Sequence, residues 1–74
     1  MRALTMPLTK EEVEAAVEDI RKIAGDDEAA HGDEDELHCA VMQAIADGTW
    51  RDSPAALCRA ALKTKEIDFA RWGA

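Results

Sequence analysis

The sequence predicts an all-α fold, a small three-helix bundle with either a short fourth C-terminal helix or a bent third one. Three observations carry that prediction. Apolar residues recur at three- and four-residue steps in three separate stretches. Each stretch opens on a Thr, Asp or Ser suited to capping a first helical turn. No segment alternates apolar and polar residues as a half-buried strand does, and no Asn-Gly hairpin signal occurs. With 74 residues, the chain has room for one domain and a thin core. Fifteen alanines favour helix, but one Phe, two Trp and no Tyr leave few large side chains to fill the interior.

The first helix is expected over residues 9–24. Thr9 and Glu12 have capping-box spacing, and Leu8 before the cap can pack on Val13 one turn in as a hydrophobic staple. Val13, Ala16, Val17, Ile20, Ile23 and Ala24 form one stripe, and Gly25 supplies a left-handed stop. Residues 1–7 read as a frayed segment ahead of a single domain over 8–74. Residues 26–31 have no apolar period, and their three adjacent carboxylates repel one another, so a loop is expected there.

Asp33 is then expected to cap a second helix over 33–47, with Glu34, Asp35 and Glu36 in a first turn whose dipole favours negative charge. Leu37, Ala40, Val41, Ala44 and Ile45 form its stripe, and Gly48 ends it. Ser53-Pro54 opens a third helix over 53–63, since proline suits the first helical position. Ala55, Ala56, Leu57, Ala60, Ala61 and Leu62 carry its apolar side. Lys63-Thr64-Lys65-Glu66 interrupts that side, which predicts a break or a bend near Thr64, with a further helical piece over 65–72. Trp50 is expected to cover one end of the bundle, whereas Phe69 and Trp72 can either dock inward or anchor a partner.

Charge narrows the functional classes. Sixteen acidic against nine basic residues give a net charge of -7, which argues against a basic face for nucleic acid or anionic lipid. Residues 11–36 hold twelve acids and two bases, while residues 49–74 hold three acids and five bases. In an antiparallel bundle this asymmetry brings Arg59, Lys63 or Arg71 toward acids of the first helix. No apolar run approaches the roughly 20 residues that span a bilayer, and Met1-Arg2-Ala3-Leu4-Thr5 lacks the apolar core of a secretory signal. A cytoplasmic protein with reduced Cys39 and Cys58 is therefore expected.

No chemistry-bearing motif is present. His31, His38, Cys39 and Cys58 just reach the number of ligands a zinc site needs, but no Cys-x-x-Cys occurs, and adjacent His38 and Cys39 diverge by about 100° on a helix. The cysteines read instead as small, partly buried hydrophobes, His31 as solvated and His38 as flanking the second stripe. A calcium loop fails because Ala29 and His31 stand where carboxylate or amide ligands belong. The acids of the first helix lie on a solvated face, without the burial that would perturb a catalytic carboxylate. Phosphate-loop, dinucleotide-binding, metalloprotease and nucleophile-elbow signatures are all missing. The expectation is thus no enzyme, no cofactor, no catalytic residue and no metal ligand.

The acidic opening of the second helix, the Ala-rich third helix and the run Glu66-Ile67-Asp68-Phe69-Ala70-Arg71-Trp72 resemble small helical proteins of unassigned function from actinobacteria and their phages. The resemblance touches residues 33–74 and carries no functional residue across. It implies a phage or mobile-element setting, in which small proteins act by attaching to a host protein. The sequence is accordingly read as a protein-interaction module for a protein partner or a second copy of itself, as a homodimer, with no direct nucleic-acid or membrane contact. Glu11, Glu14, Glu18, Asp26, Asp27, Glu28, Phe69 and Trp72 are the expected contact residues. The competing reading is an acidic mimic of DNA phosphates that occupies the basic groove of a nucleic-acid-binding protein, with strongly salt-dependent binding.

Overall fold

A computed structural model describes residues 1–71 of the chain. Helix α1 spans Lys10–Lys22, α2 Asp27–Asp47 and α3 Pro54–Leu62, and a 3-10 turn continues α3 over Lys63–Glu66. The third helix therefore bends rather than stops, as the interruption near Thr64 predicts. Among the described residues, regular structure is helical apart from one isolated parallel bridge between Leu8 and Trp50. None of these helices is long and apolar enough to cross a membrane.

Helix α1 starts as its sequence dictates. The Glu12 amide donates to the Thr9 hydroxyl at 3.2 Å, and Leu8 and Val13 are both fully buried. The Glu12 carboxylate, however, accepts the Thr5 amide at 2.7 Å instead of closing the capping box on Thr9. That contact, an Arg2–Asp19 ion pair and the packing of Leu4 on the core tie residues 1–7 to α1, where a frayed segment was expected. Asp52 completes the start from across the fold. At φ 66 it occupies the left-handed region that Asp tolerates, and its carboxylate accepts the Lys10 amide at 2.9 Å.

The expected loop over residues 26–31 is helix. Asp26, not Asp33, is the cap of α2, its carboxylate accepting the Ala29 amide at 3.1 Å, and Gly32 lies inside the helix. Gly25 is not the left-handed stop either. Helix α1 ends at Ile23 and the Asp26 amide donates to the Ile23 carbonyl at 2.9 Å, so the chain turns directly into its next cap. Gly48, at φ 73, does close α2 in the left-handed conformation.

Leu8, Val13, Ile20, Leu37 and Leu57 have no exposed surface, and with Val17, Val41, Ile67, Phe69 and several alanines they form one core. Burying side chains of this size contributes about 1.5–3 kcal/mol each. Of the helix expected over 65–72, residues 65 and 66 belong to the 3-10 turn and residues 67–71 are not helical. Ile67 is extended, and Ile67 and Phe69 are buried on either side of exposed Asp68, which is the two-residue alternation of a strap laid over the bundle. Trp50 is 36% exposed and covers the bundle end only in part. Leu62 and Ala55, placed on the apolar side of the third helix by sequence, face solvent.

Candidate interaction surface

Between α2 and α3 runs an open groove of about 260 Å³ lined by His38, Val41, Met42, Cys58, Ala61 and Leu62. Helical geometry explains how it arises. Val41 and Ala61 point into the core, and the following residues, Met42 and Leu62, stand about 100° further round, on the groove's two shoulders. Ala61 is small, so the helices leave a depression where a larger residue would close it. Met42 is 62% exposed and Leu62 57%, the two highest values among the large apolar side chains described.

His38 brings a polar ring to this groove and engages its Nε2 within the chain. Its Nε2 lies 3.2 Å from the Ala61 carbonyl, to which it donates, and 3.0 Å from the Thr64 hydroxyl. The wall is thereby left with an apolar character. A guest there gains from dispersion and desolvation rather than from hydrogen bonds.

Below the α2 end of the groove sits a buried ion pair. Glu34 is 1% exposed, and Arg71 grips it with two bonds, Nε to Oε1 at 2.9 Å and Nη2 to Oε2 at 3.0 Å. Arg71 also donates to the carbonyls of Thr64, Ile67 and Phe69 and stacks 3.9 Å from the Phe69 ring centroid. Lys65 Nζ approaches Glu34 at 3.7 Å. Burial alone would raise the Glu34 carboxyl; hydrogen bonds from Arg71 and Thr64, with the charges of Arg71 and Lys65, outweigh it and bring the group down to about 2. Arg71 is held more firmly protonated by the same bond to Glu34. This cluster fastens the strap and presents no free acid or base.

Among the described residues, His31, Glu34 and Asp35 are the side chains whose ligand atoms converge closely enough for a metal ion, within 4.8 Å. They do not fit one. Both Glu34 oxygens are committed to a guanidinium, and a cation entering the group would meet Arg71 and Lys65. Cys39 and Cys58, expected to be partly buried, are exposed free thiols. His31 is half-buried and lies 3.5 Å from Asp35 rather than standing free in solvent.

The sequence-predicted contact residues scatter. Glu11, Glu14, Glu18, Asp26, Asp27 and Glu28 are all exposed. Arg21 donates to Glu18 at 2.9 Å, Lys10 lies 3.9 Å from Glu14, Asp26 accepts the Ala29 amide and Asp27 the Ala70 amide, each at 3.1 Å, so four of these six carboxylates have partners within the chain. Phe69 is withdrawn from the surface, 7% exposed in the core beneath Arg71. Trp72 lies outside the described residues. Arg71 meets Glu34 of α2 rather than acids of α1, Lys63 pairs with Glu66, and Arg59 and Lys63 flank a cleft with Lys10 and Glu14. Sequence reasoning missed the groove: Met42 falls off the stripe of the second helix and could have been flagged for that reason, whereas Leu62 falls on the apolar side of the third.

No protein-family model matches the chain, and no curated protein or solved structure is significantly similar to it.

Proposed function

We propose that this chain is a small non-enzymatic protein-interaction module that docks through the apolar groove between α2 and α3. The observation that carries the reading is the groove itself: two large apolar side chains more than half exposed around a small-residue floor, with the one ring nitrogen described there already bonded. Such a groove is a surface on which the apolar side chains of a partner can be desolvated. The acidic exterior keeps the molecule soluble and steers it toward partners with basic surroundings. In the setting the sequence resemblance implies, the partner would be a host protein.

Affinity capture from a host lysate with the wild type and with the Met42→Gln/Leu62→Asn variant tests this. Proteins held by the wild type and lost by the variant support it; the same set retained by both overturns it. The exposed carboxylates of α1 and the start of α2 favour phosphate mimicry as a second reading. Release of the captured protein by DNA, with binding falling steeply as salt rises, would decide for that reading.

A further inference from the structure

We propose that the occupant of the α2–α3 face is a second copy of this chain, an inference that rests on the docking reading above and names its partner. The argument starts from spacing. On α2, Asp35, Cys39, Met42 and Ala46 are separated by four, three and four residues and are all exposed. On α3 and its 3-10 continuation, Ala55, Cys58, Leu62 and Lys65 are separated by three, four and three, and all are exposed too. Each helix thus carries, on the side turned away from the row it buries, a second row with three- and four-residue spacing, of which Met42, Cys58 and Leu62 line the groove.

The two rows are complementary to each other. Each has an apolar centre, Cys39, Met42 and Ala46 on one and Ala55, Cys58 and Leu62 on the other. Asp35 ends the α2 row and Lys65 ends the α3 row. Their side chains are 67% and 56% exposed. Glu34 on α2 pairs with Lys65, so the acidic end of one row lies beside the basic end of its neighbour. A two-fold axis running along the groove sets the α2 row of each copy on the α3 row of the other. Asp35 then faces the other copy's Lys65, and the apolar centres meet between them. The match is self-complementary, as an isologous interface requires. Helix α2 carries seven acids and no Lys or Arg, whereas residues 54–66 carry three bases and one acid, so the same axis brings the acidic start of α2 toward the basic end of the other copy's third helix. With extents of 33 × 20 × 20 Å, the molecule offers a face for an interface smaller than the roughly 800 Å² per partner of an ordinary one, which sets the association at the weak end. The result is a four-helix layer built from α2 and α3 of two copies, with α1 outermost on both sides.

Sedimentation equilibrium on the full chain from roughly 10 μM to 1 mM, a span over which interfaces of ordinary size or smaller assemble, tests the proposal. The wild-type mass should rise from 8.1 kDa toward twice that value. Leu62→Asp and Met42→Lys should each weaken self-association at least tenfold, because each places a charge in the apolar centre. Both side chains are exposed in the single chain, so circular dichroism should show unchanged helix content. Asp35→Lys should weaken association severalfold and reduce its dependence on salt. A wild type that stays at 8.1 kDa up to 1 mM overturns the proposal, as does a Leu62→Asp variant that dimerises like the wild type. A monomeric wild type that still loses a captured protein on Met42→Gln/Leu62→Asn would refute self-association alone. Identical capture by both proteins would refute the docking reading itself.

Discussion

Replacing Arg71 by Ala should remove most of the protein's stability at 25 °C and neutral pH. Two routes give the size of the loss. Removing one member of a buried ion pair leaves an uncompensated charge and costs about 3–5 kcal/mol. Independently, folding moves the Glu34 carboxyl from an ordinary 4.5 to about 2, and at about 1.36 kcal/mol per pH unit that is roughly 3 kcal/mol of preference for the ionised, paired form. A single domain of this size has only about 3–5 kcal/mol to lose. Lys65, 3.7 Å away and largely solvated, cannot take over the two-bond grip. Because the unfolded chain takes up the Glu34 proton first on acidification, the contribution is complete above about pH 4.5 and drains away as pH falls toward 2. Urea melts followed by far-UV circular dichroism, run at several pH values on wild type and Glu34→Gln, isolate the effect, since the other carboxylates titrate alike in both. The stability gap should approach 3 kcal/mol at pH 7 and shrink between pH 4.5 and 2. A gap that does not change with pH, or an Arg71→Ala midpoint equal to the wild type's, would refute the reasoning.

Gly32→Ala should stabilise the protein by roughly 1 kcal/mol, raising the melting temperature by about 4–8 °C, because Gly32 is inside α2 and an added Cβ meets nothing within 4 Å. Gly48→Ala should do the opposite, losing about 1–2 kcal/mol in the same thermal melt, since φ 73 places a Cβ against the backbone although the surrounding space is open. Phe69→Ala should cost about 3–5 kcal/mol in urea unfolding and open the strap to protease, because the ring is buried in the core and forms the platform for Arg71. A Phe69→Ala variant as stable as wild type would mean the strap is not part of the core.

Helices α1 and α3 can be read from the sequence because what specifies them is local. Thr9 and Ser53 accept amides three residues ahead, and the buried Val13, Ala16, Val17, Ile20 and Leu57, Ala60, Ala61 repeat at helical steps. The first part of α2 hides itself for a physical reason. Its buried row is Ala30, Glu34, Leu37, Val41 and Ala44, so a carboxylate stands where the pattern wants an apolar residue, and the period shows only from Leu37 onward. What makes Glu34 acceptable there is Arg71, 37 residues later. Neither residue is informative alone: a mid-chain Glu among other acids reads as solvated, and a terminal Arg reads as exposed. The same pairing decides the strap, since Arg71 bonds three carbonyls of its own segment and so favours a fold-back over another helical turn. The groove is hidden differently. The rows holding Met42 and Leu62 have the same three- and four-residue spacing as the buried rows, so either row of each helix can serve as core until a third element covers one of them. That element is α1, which packs against both α2 and α3; Leu37, Val41, Leu57 and Ala61 are buried, and Met42 and Leu62 stay in solvent. A helix pair with two such rows and one covering helix keeps one row in solvent, and that row is where the proposed association would act.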